Sequence, residues 1–306
     1  MVILNEHFKE VERILDLPEE AVEAVEKVAE KIESSKGFMK RYEAVYNAHM
    51  LPEANDFGKC CDKLKILAMA YGVKEYTLDM MFLMHAAERL HELYKEKGID
   101  EQIFCDSIMD IKYIYRECVN CKGVHGVFVA WWATEFYNLK RFKLGRFQFD
   151  AENTFDHDSC TTPSGIKLTR GEKTLGFHIP SSGVPLTDDV RYDSYKKAYN
   201  FFKDYIRDDG IILFECGSWL LYPDYEKFLP ANSNTLKFIK DFYLIDYKAS
   251  EKFGDAWRVF DKYGYKSPKH WPEDTSMRRA FKKWVLDGNK TGHGHGVICF
   301  DGERIV

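Results

Sequence analysis

The period of the apolar pattern changes once along this 306-residue chain, and that change limits the fold more than any single motif does. Up to about Gly123 the apolar residues recur at three- and four-residue steps. Val22, Val25, Val28, Ala29 and Ile32 form one such stripe, with Glu and Lys opposite. Asp16-Leu17-Pro18-Glu19-Glu20 puts a proline and acids where a helix begins. Lys36-Gly37 reads as the end of that helix. Further helices are expected over about 38–50 (stopped at Pro52), 57–71 (ended by Gly72), 78–97 (ended by Gly98) and 100–118. Their short connections predict packed antiparallel neighbours. Residues 127–140 read as one more helical stretch, carrying Trp131, Trp132, Phe136 and Tyr137.

The period then falls to two. Leu144, Arg146, Gln148 and Asp150 alternate with Gly145, Phe147 and Phe149, as in a half-buried strand. Strand-like runs at 166–170 and 174–179 flank Gly171-Glu172 and suggest a hairpin. A strand ending at His178-Ile179 leads through the loop 180–186 to a helix opened by Thr187, Asp188 and Asp189. Residues 211–216 form the next strand. Ser233-Asn234 and Asp274-Thr275-Ser276 cap later helices. Residues 242–247, 257–260 and 297–300 read as strands. The expected organisation is an all-helical domain over 1–125, followed by a mixed-sheet α+β / α/β domain over 126–306.

A formal charge of -5 gives no field to hold nucleic acid. The apolar runs at 66–70 and 127–132 are too short to span a membrane. Residues 1–10 carry Glu6, Lys9 and Glu10 without an apolar run, so no signal peptide is expected. Eight cysteines without an export signal suggest the cytoplasm, where thiols stay reduced.

The segments Leu144-Gly-Arg-Phe-Gln-Phe149, Phe177-His-Ile-Pro-Ser-Ser-Gly-Val-Pro-Leu186, Cys216-Gly-Ser-Trp-Leu-Leu221, Ser233-Asn234 and Thr275-Ser-Met-Arg-Arg-Ala280 occur in this order over half the chain. Together they resemble a two-domain bacterial acyltransferase-like family, in which a helical N-terminal domain precedes a GNAT-like C-terminal domain. The resemblance implies transfer of an acyl group from a coenzyme A thioester, acetyl-CoA or another acyl-CoA, to an amine or hydroxyl. The acceptor would be a small molecule or a peptide, with no nucleic acid, membrane or metal involved.

In such a domain the loop after the His178 strand cradles the pyrophosphate, because a helix N-terminus offers N–H groups and a positive dipole end. Here Ile179, Ser181, Ser182, Gly183, Val184, Leu186 and Thr187 would form it. The loop departs from the usual Arg/Gln-x-x-Gly-x-Gly/Ala pattern. It has a single glycine, and Pro180 and Pro185 lack an N–H. A plain strand-to-helix turn capped by Thr187 is the alternative.

His178 stands where the acceptor's proton would be taken, or else fixes the loop as a structural histidine. Glu215 is a candidate base if apolar neighbours raise its pKa. Cys216 is a candidate nucleophile if a base adjoins it, and otherwise a small buried hydrophobe. Strand alternation sets Glu215 and Cys216 on opposite faces. Ser218 could bond a substrate carbonyl, and Tyr243 matches by position the proton donor to a leaving thiolate.

Cys118-x-x-Cys121 with His125 lacks an evident fourth zinc ligand and reads as reduced thiols near a helix end. His293-Gly-His295 reads as a turn, and Asp156-His157-Asp158 as a solvated loop. Two functions remain open: an acyltransferase, or a catalytically inactive GNAT-like module that binds a small ligand or a protein. Hydrolysis at Cys216 is a third, and needs His or Asp within reach.

Overall fold

Pro18, Glu19 and Glu20 start a helix for the reason their chemistry suggests: proline suits the first turn, and the acids face the positive dipole end. In the computed structural model, which describes residues 1–50 and 56–306, this is α2 (Glu19–Glu33). It follows α1 (Glu6–Leu15), whose first turn is capped by the Asn5 side chain. Then come α3 (Lys36–Met50), α4 (Phe57–Tyr71), α5 (Glu75–Glu96), α6 (Glu101–Ile108), α7 (Asp110–Lys122) and the short α8 (Thr134–Tyr137).

Gly72 ends α4 in the left-handed region at φ 62°, where glycine carries no Cβ penalty. Gly37 lies inside α3 and does not end α2. Its place is next to Phe38, which stacks on Tyr71 at 4.1 Å. The stretch expected over 100–118 is two helices, divided at Met109. Residues 127–140 form only a 3-10 turn (Ala130–Ala133) and α8. Pro52 lies outside the described residues.

These helices belong to one compact unit, Met1–Phe142; the second is Lys143–Val306. The sequence pattern set its boundary at 125/126. The intervening segment is tied to the helices by a Val127 N–H to Tyr76 O bond and a Tyr137 hydroxyl to Leu83 O bond of 2.6 Å. α5 is buried along most of its length, so polar residues at Asp79, His85 and His91 enter the interior with it. His85 is answered by the Tyr42 hydroxyl at 2.8 Å. No helix among the described residues is long and apolar enough to cross a membrane.

A six-stranded sheet, which lies in the second unit apart from the first two residues of β1, is built from β1 (Arg141–Leu144), β2 (Phe147–Thr154), β5 (Lys173–His178), β6 (Ile212–Ser218), β7 (Tyr243–Ser250) and β8 (Thr291–Phe300). The strand order is β1-β2-β5-β6-β8-β7. β3 (Cys160–Thr161) and β4 (Lys167–Leu168) pair separately. α9 (Asp188–Phe201) crosses from β5 to β6, whose pairing is parallel. α10 (Asn234–Ile239), α11 (Ala256–Phe260) and α12 (Ser276–Leu286) complete the unit.

The hairpin expected around Gly171-Glu172 does not form. β4 pairs with β3, while β5 pairs with β2 and β6. Alternation announces a strand but not its partner. Residues 257–260 lie in α11, not in a strand, and Phe260 stacks on Trp271 at 4.2 Å. The His293-Gly-His295 segment is inside β8, not a turn. Its glycines admit close neighbours: a Cβ on Gly292 would lie 2.2 Å from the Tyr222 ring, and one on Gly294 would lie 2.2 Å from the Leu221 carbonyl oxygen.

Asp79 is the least compensated acid of the helical unit. It is 4% exposed, and its Oδ1 has no hydrogen-bond partner among the described residues. Burial, aided by the nearby Glu75 charge and opposed by Lys65, pushes its pKa up to about 8. An unfolded aspartate titrates near ~3.9. The folded state therefore keeps a proton that the unfolded state loses, and stability is full below about pH 4 and falls as pH rises toward about 8. The slope approaches about 1.4 kcal/mol per pH unit. Urea unfolding across this range should show it in the wild type and lose it in Asp79→Asn; parallel pH curves would remove this role for Asp79.

Candidate active site

Strand alternation gives the sheet two chemically different faces. Phe147, Phe149, Phe177, Phe214 and Phe300 share one face. Tyr195 of α9 meets it, with its ring 5.7 Å from Phe147 and 5.8 Å from both Phe214 and Phe300. Phe238 of α10 joins at 5.5 Å from Phe147. The register sets Asp150, Gly176 and Glu215 side by side on the other face, with His178 and Thr174 two residues either way along β5.

The parallel β5–β6 pairing is only two residue pairs long, Leu175 with Phe214 and Gly176 with Glu215. Beyond it the strands continue unpaired with each other, β5 to His178 and β6 to Ser218. His178 thus stands on the β5 end that has parted from β6 but stays paired with Gln148 of β2, half-buried, with Nε2 2.8 Å from Asp150 Oδ2. Gly176 makes room for that carboxylate, since a Cβ there would lie 3.0 Å from the Asp150 Cβ.

Glu215 is 6% exposed, and a buried carboxylate needs partners. Its Oε2 accepts bonds from Thr174 Oγ1 at 2.7 Å and Asn153 Nδ2 at 2.8 Å. Its Oε1 lies 2.9 Å from His295 Nε2 and 3.7 Å from His157 Nε2. Burial alone would raise its pKa, but the His295 and Thr174 bonds and the two imidazoles outweigh that and hold it below the ordinary glutamate value. The raised pKa expected for Glu215 as a base is therefore reversed: its neighbours are polar, not apolar.

Two irregularities recruit this set. A bulge in β2 between Asp150 and Asn153 shifts the alternation, so that both residues reach the same face. A second shift, between Leu244 and Asp246 of β7, brings Asp246 opposite His295. Asp246 Oδ2 lies 3.2 Å from His157 Nδ1. His157, read in sequence as part of a solvated loop, is only 22% exposed in its side chain.

Cys216 takes the opposite face from Glu215. It is 2% exposed, and burial pushes its thiol far above the ordinary range. No base adjoins it among the described residues, so they do not supply the activation that a nucleophilic role requires. The Ser218 hydroxyl caps the following 3-10 turn by accepting from the Leu220 N–H. Tyr243 opens β7 opposite Val297 and packs against the apolar cluster of Phe155, Leu213 and Val297. Cys118 and Cys121 are buried thiols on α7.

The loop after Ile179 is held by two arginines. Arg146, 8% exposed, donates to Pro180 O at 2.8 Å and Val184 O at 2.9 Å. Arg191 donates to Leu186 O at 2.8 Å and makes a two-pronged pair with Asp241, at 2.6 and 3.2 Å. Gly183 makes the turn at φ 80°. The Ser182 N–H is used by Pro180 O, and the Val184 N–H by the Ser182 hydroxyl. Thr187 is the cap residue of α9; its side chain and the Val190 N–H both serve the Asp189 carboxylate, which lowers that acid's pKa. A pocket of about 330 Å³ opens here, lined by Lys143, Arg146, Ser182, Val184, Asp189 and Asp193 among others. Ser181 is exposed at its rim of the loop, outside that lining.

A mixed sheet with a short parallel pair, crossed by a loop and helix at the point where the strands part, defines a GNAT-like α/β unit. The model for the GNAT-like C-terminal domain matches residues 141–298, and the model for the N-acyltransferase N-terminal domain matches residues 6–139. The chain belongs to the GNAT-like C-terminal domain family. No curated protein matches the sequence.

Solved structures share the fold. An acyltransferase in complex with decanoyl-CoA and teicoplanin is 19% identical, with a TM-score of 0.68 over 96% of this chain and 88% of that one. An acyltransferase in complex with CoA and 10C-teicoplanin is 18% identical, with a TM-score of 0.68 over 97% and 88%. A third, with decanoyl-CoA, is 19% identical, with a TM-score of 0.59 over 95% and 98%. At these identities the likeness is one of fold.

Replacing Arg146 by Met keeps the buried stem but removes two charge-assisted bonds to loop carbonyls. The expected loss is roughly 2–3 kcal/mol in chemical unfolding, from carbonyls left without donors. An unchanged unfolding midpoint would show that the loop stands without Arg146.

Proposed function

We propose that this protein transfers an acyl group from an acyl-coenzyme A thioester to an amine or hydroxyl of a small-molecule or peptide acceptor. The observation that carries this reading is His178, paired with Asp150, on the end of β5 where it parts from β6. The solved acyltransferases of the same fold, bound to decanoyl-CoA or CoA and in two cases to a teicoplanin, support the choice of donor and acceptor class.

Asp150 accepts the Nε2 proton of His178 in this reading, so Nδ1 carries the lone pair. That nitrogen takes the proton from the acceptor as the acceptor's nitrogen or oxygen bonds to the thioester carbonyl carbon. The C–S bond then breaks and the departing thiolate takes a proton from water; Tyr243, on β7 with β6 and β8 between it and β5, does not reach the position expected of the donor. The pyrophosphate is assigned to the pocket beside the loop, with Lys143 and Arg146 as cations on its wall; Gly183, Leu186 and Thr187 of the expected cradle lie in the loop but do not line it. Ile179 and Ser181 continue the strand end into that cradle. Glu215 holds the polar face together, while Cys216 and Ser218 stay outside the reacting set. The free thiols fit a reducing cytoplasm.

One observation favours the binding-module reading instead: the Asp189 carboxylate already serves the start of α9, where a phosphate would sit. Calorimetric titration with CoA, octanoyl-CoA and decanoyl-CoA separates the two. Saturable binding, with thiol release on adding amine acceptors, is expected. His178→Ala should lower kcat/KM by about 10²–10⁴-fold while acyl-CoA binding persists. No binding of any of the three at millimolar concentration would overturn acyl transfer.

A further inference from the structure

We propose that His157, Glu215 and His295 form a binding site for one zinc-class divalent cation on the polar face of the sheet. This does not rest on the acyl-transfer reading. One ligand atom from each of His157, Glu215 and His295 lies within 4.8 Å of the other two. A tetrahedral ion with bonds of about 2.0–2.1 Å needs its ligand atoms about 3.3 Å apart. The Glu215–His295 and Glu215–His157 separations, 2.9 and 3.7 Å, fall on either side of that value. The two imidazole ligand atoms lie within 4.8 Å of each other, and side-chain rotation closes the set on the ion.

The surrounding bonds aim these atoms inward. Thr174 and Asn153 hold Glu215 Oε2, which leaves Oε1 for the ion. Asp246 Oδ2 sits 3.2 Å from His157 Nδ1, so its negative charge lies behind the imidazole and favours Nε2 facing the ion. A carboxylate behind a ligating imidazole is the usual support in metal sites. Without an ion, His157 Nε2 at 3.7 Å from Glu215 is beyond hydrogen-bond distance. Only His295 bonds that carboxylate oxygen, while the two imidazole rings stand with centroids 4.2 Å apart. A cation satisfies all three ligands at once. Gly217 leaves space for the rings, since a Cβ there would lie 3.2 Å from both the His293 and His295 imidazoles.

Two nitrogens and one oxygen favour zinc or a similar transition ion over calcium or magnesium, which take oxygen ligands. Three protein ligands leave a fourth position open to water. The other histidine cluster, His7, Glu10 and His91, is built differently. There the two imidazoles bond each other at 3.0 Å and His91 bonds Glu101 at 2.7 Å, so a proton fills the gap.

The full chain, stripped with a chelator and dialysed, is titrated with Co²⁺ and then Zn²⁺. One equivalent of Co²⁺ should produce the visible absorption of a tetrahedral site, and Zn²⁺ should displace it. His157→Ala and His295→Ala should each weaken Zn²⁺ binding by at least about 100-fold, and Asp246→Asn by about 10-fold. His7→Ala should leave it unchanged. Absence of the cobalt spectrum in the wild type overturns the proposal without any variant. So does binding whose affinity survives both histidine substitutions. Loss of Zn²⁺ binding in His7→Ala alone would move the site to the other cluster and overturn it as well.

Discussion

Two strands that run side by side in the same direction cannot be joined by a tight turn, and the β5–β6 pair makes this requirement central to the GNAT-like unit. The chain must leave the end of β5, cross the sheet and return. It does so through the 179–187 loop and α9. The crossover therefore delivers two things to one place: the end of β5 with His178, and a helix start with its loop. Tyr195 then anchors α9 to the apolar face, and the Arg191–Asp241 pair ties its first turn to the chain beyond α10. Because the parallel pairing stops after Gly176 and Glu215, the sheet supplies an opening without losing its core.

The opposite face depends on small residues and on broken register. Gly176 admits the Asp150 carboxylate, and Gly217 admits the imidazoles of β8. Each bulge then turns a polar side chain toward the same area, Asn153 from β2 and Asp246 from β7. Regular strands would send both away from Glu215. Irregular backbone and glycine are thus the means by which five strands contribute to one polar cluster, while the same strands keep a phenylalanine-rich face toward α9 and α10.

Much of the fold was legible from local pattern. The helix at 57–71 was bounded correctly because its helical pattern ends at Gly72, which the structure places in the left-handed region. Gly37 misled, since a glycine inside a helix looks like a stop. The short run 257–260 misled because three apolar residues among four fit a helix or a strand equally well. His178 and Glu215 were readable as polar residues at strand ends. Their partners Asp150, Asn153, Thr174, His157, His295 and Asp246 were not. Strand order is a long-range property, and a bulge reverses facing with no strong compositional sign. The alternating glycines of β8 were the one available clue, and they were read as a turn because glycine serves turns and close approaches alike.

Asp79 and Glu215 carry the same functional group and are almost equally buried, yet their protonation is driven in opposite directions. Depth alone does not decide the charge of a buried carboxylate. Asp79 enters the interior because α5 is buried along most of its length, and its Oδ1 meets no donor among the described residues. Glu215 meets a hydroxyl, an amide and an imidazole within hydrogen-bond distance. Desolvation favours the neutral acid in both, but only at Glu215 do donors recover what water supplied. A helix brings a buried polar group into the core according to its own length and periodicity. A sheet can gather partners from adjacent strands, so its interior can keep a carboxylate charged, as side chains of β2, β5 and β8 do for Glu215.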